Sequence, residues 1–106
     1  MEFVETSVFT KLIQRLLGED EYADFQVMLA CNPQAGRLIP GGGGLRKSRW
    51  SHTQRGKGKR GGIRIIYYVH SKDRLYMIYV YDKDRQEDLT NKQLKILREY
   101  VKAGVL

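Results

Sequence analysis

A chain of 106 residues, 42% of them hydrophobic, can bury a modest core as one domain, which excludes a disordered tail. Its single cysteine excludes an intrachain disulfide and a cysteine cage for a metal, and no run approaches the roughly 18 apolar residues of a membrane span. These totals read as one soluble, cytoplasmic domain over residues 1–106 with no membrane partner, and the net charge of +7 makes a polyanion the natural partner.

The stretch "EFVE" (Glu2–Glu5) is a short β-like start. Val8, Phe9, Leu12, Ile13, Leu16 and Leu17 then recur at helical spacing until Gly18 stops the run. The acidic "EDE" that follows suits the positive end of a second helix, whose Tyr22, Phe25, Met28 and Leu29 share a face. Asn32-Pro33 ends it. A connection this short predicts an antiparallel helical hairpin. Cys31, after the apolar face, reads as a small packing residue.

"RLIPGGGG" is a short extended piece with a glycine loop. "LRKSRW" (Leu45–Trp50) alternates as a strand, with Lys47 and Arg49 projecting from one face. After the basic loop, "GIRIIYYV" places Ile63, Ile65, Tyr67 and Val69 on one face and Arg64, Ile66 and Tyr68 on the other. "SKDR" turns the chain into "LYMIYVY". These three strands predict an antiparallel meander.

A capped helix closes the chain. Thr90 and Gln93 form a T-x-x-Q capping box, Leu89 can staple onto Leu94, and Leu94, Leu97 and Val101 make the buried stripe before Gly104. The predicted order is β-α-α-β-β-β-β-α: an α+β fold, helices packed on a small antiparallel sheet.

The charge is concentrated. Residues 1–36 hold two bases against six acids, residues 37–65 nine bases and no acid, and residues 66–106 eight bases against six acids. A block of that kind predicts a phosphate-rich partner. Gly56, Gly58 and Gly61 match G-x-G-x-x-G, but a strand follows them instead of a helix, which rejects the dinucleotide fingerprint. Their glycines instead let basic tips follow an irregular phosphate chain. Arg64 shares its face with Ile66 and Tyr68, so with Lys47 and Arg49 it predicts a cationic groove. Tyrosines at the mouth of such a groove can stack on bases, although most of them should pack against helices. His52 and His70 have no partner at ligand spacing, so no metal or other cofactor is expected.

The order of elements, with "GGLRKSRW", "GKGKRGGIRIIYY" and "YDKDRQEDLTNKQ", resembles the RelE/ParE toxin superfamily, closest to its HigB-type branch. The resemblance implies a type II toxin with a RelE-like fold that enters the ribosomal 30S A site and cleaves mRNA without a metal. It implies a cognate HigA-type antitoxin and a higher-order toxin–antitoxin complex on operator DNA. The family's basic pair matches Lys47 and Arg49, its strand arginine Arg64, and the basic residue after its last strand Lys83. Those four are the implied catalytic residues. Arg46, Arg55, Lys57, Lys59 and Arg60 are read as RNA- or ribosome-binding. The tyrosine that some members carry is Leu89 here, and the glutamate frequent in HigB-like sequences is Arg85. Two alternatives stand beside this reading: a ParE-like toxin of DNA gyrase, and a non-catalytic RNA- or ribosome-binding module. The cationic constellation is expected to converge with no acid in it.

Overall fold

In the computed structural model, which describes residues 1–50 and 62–103, the elements follow the expected order. They are β1 (Glu2–Glu5), α1 (Ser7–Leu16), α2 (Glu19–Cys31), β2 (Arg37–Leu38), β3 (Leu45–Trp50), β4 (Ile63–Ser71), β5 (Arg74–Asp82) and α3 (Asn91–Ala103). The described strands form one five-stranded sheet in the order β1-β5-β4-β3-β2. β2, β3, β4 and β5 pair antiparallel with one another, as their connections predict. β1 departs from that expectation and pairs parallel with β5, Glu2 opposite Arg74 and Glu5 opposite Met77. A parallel pair needs a long crossover, and the chain from α1 to β4 supplies it.

Thr6 joins the first helix to the sheet. Its hydroxyl accepts the Phe9 N–H at 3.0 Å, capping α1, and donates to the Ile78 carbonyl at 2.8 Å. Gly18 ends the first apolar run and is also the N-cap of α2, whose first turn holds Glu19, Asp20 and Glu21. Those charges suit the positive end of the helix dipole. Phe9 and Tyr22 bring the two helices together, ring centroids 5.9 Å apart.

The sheet divides the interior in two. Phe9, Ile13, Leu17, Phe25 and Leu29 pack on Ile63, Ile65, Tyr67, Leu75, Met77 and Val80. On the other face, Leu97 of α3 joins Leu45, Ile66, Tyr76, Ile78 and Tyr81. Burying the side chains of both clusters contributes roughly 1.5–3 kcal/mol for each large apolar residue, before the entropy cost. β4 alternates between the clusters as its sequence predicts. β5 does not: Ile66 pairs with Tyr79 but Tyr67 with Met77, so Ile78 is an extra residue in β5. That bulge puts Ile78 and Tyr79 in the same cluster and resets the alternation beyond it.

Two expectations for buried residues fail. Val8 is 45% exposed despite its place in the apolar pattern, whereas Phe9 in the same first turn of α1 is fully buried. Cys31, the last residue of α2, is exposed instead of packed.

Glycine is required at two close approaches. A Cβ on Gly36 would lie 2.7 Å from Tyr67 Cε1. The Tyr67 hydroxyl there accepts the Gly36 N–H at 2.8 Å and donates to the Pro33 carbonyl at 2.7 Å. Gly44 leads into β3 with φ +104°, and a Cβ on it would meet Tyr68 Cε1 at 2.8 Å.

The capping box of α3 forms as the sequence predicts. The Gln93 N–H donates to Thr90 Oγ1 and the Thr90 N–H to Gln93 Oε1, both at 3.0 Å. Leu89 and Leu94 both pack into the second cluster. Gly104, expected at the helix end, lies outside the described residues. No described helix is long and apolar enough to cross a membrane.

Candidate functional site

Strand pairing assembles the site. Arg49 of β3 is the register partner of Arg64 of β4, and Arg64 is the partner of Tyr81 of β5. Three side chains from three neighbouring strands therefore form one row across the sheet. The next row on the same face runs from Arg37 through Lys47 and Ile66 to Tyr79. Arg37, Lys47 and Arg49 line a cleft of about 620 Å³, with Leu38, Ile39 and Pro40 as its apolar lining.

Arg64 is only 3% exposed, while Arg49 is exposed. Burial first, then the Arg49 charge, pulls the Arg64 pKa below the usual guanidinium value, and Tyr81 and Asp82 act against that shift. A guanidinium nonetheless stays protonated in water. One Arg64 N–H donates to the Ile63 carbonyl at 3.3 Å. Two cations held opposite each other are unfavourable in a sheet, and the buried Asp82 carboxylate is one charge that favours the Arg64 guanidinium from within.

The model of the RelE toxin of the RelE/RelB toxin–antitoxin system matches residues 7–105. The chain belongs to the RelE toxin family. The three helices and five-stranded sheet of the described residues agree with that α+β fold. A cognate antitoxin is the partner that membership in this family implies.

In this RelE-family toxin, Lys47, Arg49 and Arg64 share a face, as the sequence predicts. Lys83 follows β5 directly, its N–H donating to the Gly62 carbonyl at 3.2 Å, at the end of the strand beyond Tyr81. Arg46 is different. It pairs with Tyr67 of the first core, and its guanidinium donates to the carbonyls of Gln34 and Gly36 at 3.3 and 2.7 Å. Those bonds commit it to the segment before β2 and take it out of the groove. Arg55, Lys57, Lys59, Arg60 and His52 lie outside the described residues.

The expectation of an acid-free constellation is overturned by Asp88. Its Oδ1 accepts from Lys47 Nζ and from the Tyr81 hydroxyl, each at 3.5 Å, and from the Leu89 N–H at 2.8 Å. The cause is the path after β5. Asp82 accepts the N–H groups of Arg85 and Gln86, turning the chain, and Gln86 then bonds the Asp88 carbonyl and Gln93 Oε1. The carboxylate is thereby carried back to the cations. Burial raises the Asp88 pKa, but the Leu89 N–H and Lys47 outweigh it, so the group sits below its ordinary value. The Tyr81 phenol is pushed up to about 12, chiefly by burial and then by the Asp88 charge.

Sequence reasoning thus missed Arg37, Tyr81 and Asp88. Arg37 lay in the basic block but needed the β2–β3 register to place it beside Lys47. The bulge at Ile78 hid the face of Tyr81. Asp88 stands 41 residues from Lys47 in the chain, and no local pattern links them.

Proposed function

We propose that this toxin is a ribosome-dependent endoribonuclease of the HigB type, cutting mRNA in the 30S A site and so stopping translation in the cytoplasm. The RNA 2′-hydroxyl is the nucleophile, so the reaction needs no metal. The observation that carries the reading is the Arg49–Arg64–Tyr81 row, with Lys47 alongside in the cleft. Transesterification at phosphorus develops charge on the phosphorane oxygens, and two fixed guanidinium groups are suited to hold it. Lys83 adds a further cation, and Arg55, Lys57, Lys59 and Arg60 bind RNA or ribosome backbone through charge. A HigA-type antitoxin opposes the toxin and carries it into a complex on operator DNA.

Convergence of Lys47, Arg49 and Arg64 favours this reading over a gyrase-directed toxin, which has no need of a phosphate clamp. The test compares wild type with Arg64→Ala for cleavage of translated mRNA, beside ribosome pelleting. Losing one such donor lowers the rate roughly 100- to 1000-fold. Ribosome binding should survive, because many other cations share that work. Full cleavage by Arg64→Ala would remove Arg64 from the catalytic assignment, and a wild type that binds ribosomes without cleaving mRNA would leave a plain RNA-binding module.

A further inference from the structure

One carboxylate oxygen joins two proton-bearing groups on non-adjacent strands. Tyr81 of β5 and Lys47 of β3 each lie 3.5 Å from Asp88 Oδ1, with β4 and its Arg64 between those strands. The contacts are long, as catalytic hydrogen bonds often are before substrate tightens them. Tyr81 is the register partner of Arg64, so a phosphate held by Arg64 would lie near the phenol. Lys47 belongs to the next row and faces the cleft. At neutral pH the phenol carries its proton and can accept another only by passing its own onward. Asp88 is an anion there and is in place to receive it.

Resting on the endoribonuclease reading, we propose that Tyr81, Asp88 and Lys47 form a closed proton relay, Tyr81 taking the 2′-hydroxyl proton and Lys47 supplying the proton to the leaving 5′-oxygen. As the 2′-oxygen bonds to phosphorus, its proton passes to Tyr81 Oη, and the Tyr81 proton passes to Asp88 Oδ1. The bond from phosphorus to the 5′-oxygen then breaks. Its electron pair stays on that oxygen, which takes a proton from the Lys47 ammonium. The products are a 2′,3′-cyclic phosphate and a 5′-hydroxyl. The protein is left with a neutral carboxyl and a neutral amine in contact, and transfer between them restores both charges. No outside acid, base or metal enters the balance. Asp88 is a positioning and relay residue, whereas Tyr81 and Lys47 touch the reacting atoms.

A surface ion pair of no consequence is the plain alternative, since the Asp88 side chain is 68% exposed and such pairs contribute little. Single-turnover cleavage of mRNA in programmed ribosomes separates the two, with ribosome affinity and thermal unfolding measured on each variant. Tyr81→Phe and Asp88→Asn should each slow cleavage roughly 100- to 10,000-fold with binding kept. The double variant should be no slower than the slower single, because a relay broken once is already broken. Lys47→Arg keeps the cation but cannot readily give up a proton. Its cleavage should recover on an mRNA whose scissile 5′-oxygen is replaced by sulfur, a leaving group that needs no protonation. Tyr81→Phe should not recover on that substrate.

Multiplying losses in the double variant, wild-type rates in either single, or no sulfur rescue of Lys47→Arg would each overturn the relay. If the relay variants cleave normally while Arg64→Ala is inactive, the relay fails and the ribonuclease reading stands. If wild type itself leaves translated mRNA intact, the ribonuclease reading fails and takes the relay with it.

Discussion

Arg49 and Arg64 stand opposite each other in the register of β3 and β4, two like charges at a position where sheets favour opposite ones. Such a pair costs on the order of 0.2–1 kcal/mol. Arg49→Gln should therefore raise the unfolding midpoint slightly while reducing mRNA cleavage. Urea denaturation beside a cleavage assay reads both effects. A variant that is less stable and fully active would show that the pair is not a functional compromise.

The Gly36–Tyr67 contact predicts a stability effect without a charge change. Gly36→Ala forces a Cβ to 2.7 Å from the Tyr67 ring, and one face of the first core must shift. Overpacking of this kind costs roughly 1–3 kcal/mol. Tyr67→Phe keeps the ring but strips the Gly36 N–H and the Pro33 carbonyl of their partner, at about 1–3 kcal/mol. Both should lower the urea midpoint without changing the slope.

Alkaline pH should weaken the fold. Tyr67 and Tyr81 are buried, and burial leads the causes that raise both phenols above their ordinary 10.0. Below that value both states hold the proton and the stability is fully present. As pH climbs past it, the unfolded phenol ionises while the folded one resists, and stability is lost until the folded group titrates. The slope is at most about 1.4 kcal/mol per pH unit for each group. Urea midpoints measured at neutral pH and above pH ~10 should converge in Tyr81→Phe relative to wild type.

Removing the cap of α3 should reach the site as well as the helix. Thr90→Ala deletes the acceptor of the Gln93 N–H and should cost about 0.5–2 kcal/mol. Gln93 also accepts from Gln86, which holds the Asp88 carbonyl, so the carboxylate loses part of its support. Cleavage should fall in Thr90→Ala under conditions where circular dichroism shows the protein still folded. Unchanged cleavage would uncouple the cap from Asp88.

The legible part of this protein was local. Hydrophobic spacing marked α1 and α2, alternation assigned the faces of β4, and T-x-x-Q located the start of α3. Lys47, Arg49 and Arg64 could be grouped because two flanking strands point them the same way. What stayed hidden depends on distant pairing. β1 joins β5 in parallel through a partner that no nearby residue announces, and the extra Ile78 breaks the period that would have oriented Tyr81. Arg46 looks like its neighbours in composition, yet alternation turns it to the opposite face, where two backbone carbonyls claim it. Asp88 reaches Lys47 only because a chain of hydrogen bonds from Asp82 to Gln93 folds the connection back.

The parallel pairing of β1 also sets the order in which this molecule can be made. The Glu2 N–H bonds the Asp73 carbonyl at 2.7 Å, Arg74 Nε bonds Glu2 Oε1 at 2.6 Å, and the Thr6 N–H bonds the Met77 carbonyl at 3.0 Å. β1 thus waits, unpaired, until β5 has been synthesised. Contacts this far apart in sequence are slow to close, and a chain still on its ribosome cannot close them until β5 has emerged. β4 and β5 also carry Arg64 and Tyr81, so the strand that completes the sheet arrives together with half of the site. A chain that stops short of β5 therefore lacks both the closed sheet and the Arg49–Arg64–Tyr81 row.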